Sequence, residues 1–140
     1  MIETLVIATD GSASAGRAVD VALDLAGRFD AAVHALYVVD SDELDSAPEE
    51  VRDEMRAALA EQGEAATAEV AERAGDATTA VREGRPATEI AEYAREVGAD
   101  VVATGTRGRH GEHRLLVGSV AERVVRTCPT PVLTVRRLAE

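Results

Sequence analysis

The sequence predicts a parallel β-sheet with helices on both faces, an open five-stranded Rossmann-like α/β fold, and three observations predict it. Short apolar runs rich in β-branched residues alternate with helical stripes from one end of the chain to the other, the pattern of strands joined by crossover helices. Glycine or proline punctuates the junctions, as at Gly75, Gly84-Arg85-Pro86 and Gly98. The 140 residues suit one domain spanning 1–140 and leave no room for a second core.

Taken in order, Thr4-Leu5-Val6-Ile7-Ala8 reads as a buried first strand. Asp10-Gly11-Ser12 then turns into a helix whose stripe is Ala15, Val19, Ala22, Ala26 and Phe29, spacings that place all five on one face. A second strand covers Ala32 to Val39, followed by a polar loop from Asp40 to Ala47. Ser46 and Glu49 are spaced as a capping box, with Pro48 tolerated in the first turn. The long helix after it carries Val51, Met55, Leu59, Gln62, Ala66 and Val70 on a narrow stripe and ends at Gly75-Asp76. Thr78 to Arg82 form a third strand, and Ile90, Ala91, Ala94 and Val97 mark a helix closed by Gly98. Asp100 to Thr104 make the fourth strand. After a glycine-rich loop, Ala121, Val124 and Cys128 define a last helix, and Val132 to Val135 a closing strand.

Composition narrows the function. The formal net charge is -11, and all fifteen basic residues are arginine. Such an acidic surface opposes nucleic-acid binding, which needs a basic patch. With few aromatics and much alanine, aspartate and glutamate, it points to a halophilic protein, since in 1 M salt screening over about 3 Å removes self-repulsion. Apolar runs fall well short of the roughly 20 residues of a membrane span, and Met1-Ile2-Glu3 leads straight into a strand. A cytoplasmic protein without a membrane partner is expected. Cys128 is the single cysteine, read as a small buried hydrophobe, so no intrachain disulfide can form. His34, His110 and His113 lack the companions of a metal site.

Ligands of open α/β sheets bind at the carboxyl ends of the strands, which selects Asp10-Gly11-Ser12, Val38-Val39-Asp40 and the loop after the fourth strand. That loop runs Gly105-Thr106-Arg107-Gly108, nine further residues, then Gly118-Ser119. Glycines at 105, 108 and 111 let main-chain N–H groups approach an anion. Gly118-Ser119 heads the last helix, whose unpaired N–H groups and dipole form a second anion site. Two amide cradles separated by a loop suit a di- or triphosphate.

The arrangement G-x2-G-x9-G-S in Gly105, Gly108, Gly118 and Ser119 resembles the ATP-binding signature of universal stress proteins. Ile7-Ala8-Thr9-Asp10-Gly11-Ser12, Tyr37-Val38-Val39-Asp40, Gly118-Ser119-Val120-Ala121-Glu122-Arg123-Val124 and Pro131-Val132-Leu133-Thr134-Val135 resemble other segments of that family, so the likeness spans the chain. Glu112 and His113 depart from it, where glycine and an apolar residue are commoner. The resemblance implies strand order 3-2-1-4-5, adenine beside the backbone of Val38, ribose near Asp10, and phosphates on the loop and the Ser119 amides. The implied nucleotide-binding set is Ala8, Thr9, Asp10, Val38, Gly105, Thr106, Arg107, Gly108, Arg109, Gly111, Gly118, Ser119 and Val120. It also implies ATP, or AMP or ADP, with Mg2+ or Mn2+ held through the phosphates, and a homodimer joined through Val132–Val135.

Bland roles compete for several residues. Asp10 also fits a turn or cap, Ser119 with Glu122 also spells a capping box, and Arg107, Arg109 and Arg114 also fit pairing with nearby carboxylates. A P-loop needs lysine, which is absent, and no catalytic set is legible. The expected function is a stress-response regulatory dimer that binds ATP and signals to an unidentified protein partner. A ligand-free dimeric scaffold and a slow ATPase or self-phosphorylating enzyme are the alternatives, with an ATP-using transferase a more distant one.

Overall fold

A computed structural model describes residues 1–105 and 119–136. Its strands are β1 (Thr4–Ala8), β2 (Ala32–Asp40), β3 (Thr78–Gly84), β4 (Val101–Gly105) and β5 (Val132–Val135). They form one sheet in the order β3-β2-β1-β4-β5, every neighbouring pair parallel. The helices are α1 (Ala13–Phe29), α2 (Ser41–Asp45), α3 (Glu49–Ala74), α4 (Pro86–Val97) and α5 (Ser119–Thr127). The strand order expected from the sequence is the one observed.

Side-chain alternation along the central strands splits the core into two layers. Leu5 and Ile7 of β1 pack with Val19, Ala22 and Ala26 of α1 and Val70 of α3. Val6 and Ala8 face the other way, packing with Ile90, Tyr93 and Ala94 of α4 and Val124 of α5. Because both faces are covered, β1 is apolar from Leu5 to Ala8, and Leu5, Val6 and Ile7 are fully buried. Each such side chain contributes about 1.5–3 kcal/mol relative to exposure. Near the carboxyl end of β2, a satellite core joins Tyr37 and Val39 to Leu44 of α2 and Leu59 of α3.

Several local expectations are corrected. Phe29 ends α1 but is 45% exposed. It lies beside the left-handed cap Asp30, where the chain leaves α1 and turns back into the sheet as β2. The polar loop after β2 contains α2, because the Asp40 carboxylate accepts from Asp42 N at 2.9 Å and caps it, while Leu44 anchors it in the satellite core. The Ser46–Glu49 capping box does not form. Ser46 instead closes α2, its hydroxyl donating to Asp42 O, and Pro48 stands at the N-cap of α3 without a side-chain bond. On α3 the buried line is Leu59, Gly63, Thr67 and Val70, while Val51 and Gln62 are exposed. Cys128 is half-buried beyond the end of α5, against the α4–α5 layer.

Candidate functional site

The connections from β1 and β4, neighbours at the centre of the sheet, lead toward opposite edges, β1 to β2 and β3, β4 to β5. That divergence opens a crevice at their carboxyl ends.

The β1 side of the crevice is a turn built from its own polar atoms. Thr9 Oγ1 accepts from Gly11 N at 3.1 Å, Asp10 Oδ1 accepts from Ser12 N at 2.9 Å, and Ser12 Oγ accepts from Ala15 N as the N-cap of α1. Gly11 has φ of 80°, which side chains with a Cβ rarely adopt. The turn reading of Asp10 therefore describes this structure. Asp10 is half-buried, and one carboxylate oxygen holds the turn, leaving acceptor capacity at the crevice.

The β2 side contributes main chain. Pairing of β1 with β2 ends at Ala8 and Leu36, followed by Thr9 N donating to Leu36 O at 2.9 Å. Main-chain groups in a strand alternate sides with period two, so the N–H and C=O of Val38 point the same way as those of Leu36. At Val38 β1 has already turned away, and β2 continues to Asp40 paired only with β3. One donor and one acceptor thus stand at the crevice wall with no strand opposite them, and such groups seek a partner. The half-buried Val38 side chain adds an apolar surface.

On the far side, Thr104 and Gly105 end β4, both buried, and α5 starts at Ser119. Val120 is 39% exposed, whereas the adjacent Ala121 and, one turn further along, Val124 are buried. Among the expected site residues, Ala8, Thr9, Asp10, Val38, Gly105, Ser119 and Val120 belong to elements that meet at this edge. Thr106, Arg107, Gly108, Arg109, Gly111 and Gly118 lie outside the described residues, as do His110, Glu112, His113 and Arg114. Among the described residues no group of three or more histidine, cysteine or acidic side chains is arranged to hold a metal. No described helix is long and apolar enough to cross a membrane.

His34 has a structural role away from the crevice. Its Nδ1 lies 2.8 Å from Tyr93 Oη, and Arg82 stacks over the Tyr93 ring while pairing through two bonds with Glu96. Burial lowers the His34 pKa and raises that of Tyr93. Sequence reasoning missed this cluster, because its members are spread over β2, β3 and α4 with no local spacing to link them.

The fit of these residues to a nucleotide is one of donor types. A main-chain donor and acceptor with no partner strand among the described residues suit a purine edge, a carboxylate suits sugar hydroxyls, and the first turn of α5 suits phosphate. Comparisons with known proteins bear on the family and the fold. The model of the universal stress protein family matches residues 1–136. Universal stress protein MJ0531 of Methanocaldococcus jannaschii is 39% identical over 98% of this chain and 84% of its own length. Universal stress protein YxiE of Bacillus subtilis is 32% identical over 97% of this chain and all of its own. Among solved structures, hypothetical protein MJ0577 is similar with a TM-score of 0.88 and 26% identity, covering 100% of this chain and 99% of that one. A universal stress protein in complex with cAMP has a TM-score of 0.71 and 30% identity, covering 96% of this chain and 97% of its own. The two carboxyl-edge turns, the parallel sheet and the match along nearly the whole sequence lead to one assignment: the chain belongs to the universal stress protein family.

Proposed function

We propose that this universal stress protein binds an adenine nucleotide, ATP foremost, in the crevice at the carboxyl ends of β1, β2 and β4, and works as a nucleotide-dependent regulatory homodimer. The observation that carries the reading is the main chain of Val38, left without a strand partner where β1 ends. An adenine edge offers the complementary donor and acceptor, the Asp10 carboxylate in the turn after β1 takes the ribose, and the amides at Ser119 take the phosphates. Thr106, Arg107, Gly108, Arg109, Gly111 and Gly118 complete the cradle in this reading. AMP and ADP fit the same wall with fewer phosphate contacts. A relative crystallised with cAMP supports an adenine ligand for this architecture.

When bound, Mg2+ or Mn2+ would neutralise charge on the phosphates. This chain's own part in this reading is to orient the nucleotide as a signal. The homodimer in this reading forms through β5, an edge strand of the sheet, in a cytoplasm rich in salt. The protein is purified from cells in molar KCl and denatured, and the released small molecules are identified by mass spectrometry. Stoichiometric adenine nucleotide is the expected result, with at least a tenfold drop in retention for Gly118→Val, whose side chain blocks approach to the amides. A wild-type protein that neither carries nor takes up adenine nucleotide contradicts the reading.

A further inference from the structure

The 26 residues of α3 span about 39 Å, longer than the strands it covers. Two close approaches fix its height. A Cβ on Gly63 would lie 2.5 Å from Tyr37 Cδ1, so α3 rests directly on β2 one residue before Val38. A Cβ on Gly11 would lie 3.5 Å from Ala66 Cβ, so the same helix passes the β1 turn at Ala66. The ion pair between Arg73 and Asp20 turns this flank of α3 toward α1 lower down. Toward its start α3 stays over β2 and β3 as far as Met55 and Arg56, which meet Val39 and Glu83, and its flank beside Ala66 and Gln62 borders the crevice on the α1 side.

Residues four apart share a helix face, and side chains lean toward the helix N-terminus. Gln62, four before Ala66, stands one turn above the Gly11 contact and is exposed. Above that level the flank is otherwise Val51, Met55 and Ala58. Gln62 is thus its one hydrogen-bonding side chain, between the main chain of Tyr37-Val38 and the turn Asp10-Gly11-Ser12. A carboxamide offers both donor and acceptor, which matches a hydroxyl.

We propose that Gln62 is a ligand-reading residue that hydrogen-bonds a ribose hydroxyl of the bound nucleotide, setting the preference for ATP over the analogue that lacks that hydroxyl. The proposal rests on the nucleotide-binding reading above, and the hydroxyl lies on the same sugar that Asp10 approaches from the β1 turn.

The test measures dissociation constants of ATP, 2′-deoxy-ATP and 3′-deoxy-ATP by calorimetry, on wild type, Gln62→Leu and Gln62→Glu, each checked for an unchanged thermal midpoint without ligand. Gln62→Leu should weaken ATP roughly tenfold while changing by less than twofold the affinity for the one deoxynucleotide that lacks the bonded hydroxyl. Gln62→Glu keeps an acceptor for that hydroxyl and should retain part of the discrimination. Equal losses for all three nucleotides, or none, overturn the role of Gln62 and leave the nucleotide site standing. A wild type that binds none of the three overturns both.

Discussion

At the scale of single residues, Asp100 shows how a polar side chain fixes strand alignment. Its Oδ2 accepts from Glu3 N at 2.8 Å and Thr4 N at 3.0 Å, tying the start of β1 to the residue before β4. These two main-chain bonds hold its carboxyl below the ordinary aspartate pKa. A depressed folded-state pKa gives stability that is present above the unfolded value and lost as pH falls through the folded one. Asp100→Asn should therefore lower the thermal midpoint at pH 7 and flatten the acid limb of the stability profile below about pH 4. A second pair of variants separates packing from propensity. Gly63→Ala should cost about 1–3 kcal/mol, because the new methyl meets the buried Tyr37 ring. Gly27→Ala, in α1 with no atom within 4 Å of the added Cβ, should gain about 0.5–1 kcal/mol. Urea unfolding of the two variants checks both signs.

At the scale of elements, the strands and the four longer helices were legible because burial on two faces forces continuous apolar runs in β1, β2 and β4, and because Gly75 and Gly98 end helices in left-handed caps. What escaped was decided by distant contacts. The five-residue α2 has no stripe to read, and its existence depends on Leu44 reaching the Tyr37–Leu59 cluster and on Arg52 donating to the carbonyls of Leu44 and Ala47. The expected stripe on α3 ran through Gln62, whereas packing against Tyr37 demanded the missing side chain of Gly63. Of the candidate site, the turn at Asp10 and the end of β2 were legible as strand-to-helix junctions. The open main-chain groups at Val38 required the register between β1 and β2. The edge strand β5 carries its own prediction. Val102 N donates to Pro131 O, so the groups of residues 131, 133 and 135 face β4 and those of Val132 and Thr134 face outward. Thr134→Pro removes an outward donor while sparing the ladder to β4. It should shift the proposed dimer toward monomer in sedimentation velocity, with the helical circular dichroism retained. An unchanged sedimentation coefficient places the dimer contact elsewhere.

At the scale of the whole molecule, a net charge of -11 on 140 residues sets the conditions under which the fold persists. Arg28, Arg56, Arg73, Arg82 and Arg126, a third of the fifteen arginines, are each paired with carboxylates, and the acidic excess remains. Screening should then raise the thermal midpoint steadily between 0.1 and 2 M KCl, and a flat response argues against adaptation to salt. The same excess repels a free polyphosphate, so in the proposed site the affinity would have to come from local donors such as the main chain of β2 and the head of α5. A crystal structure grown with excess ATP in molar KCl tests that claim most directly. It should show adenine bonded to the N–H and C=O of Val38, ribose at Asp10 and phosphates on the amides at Ser119. Electron density for ATP elsewhere on the molecule, or an empty crevice beside a saturating ligand, would contradict it.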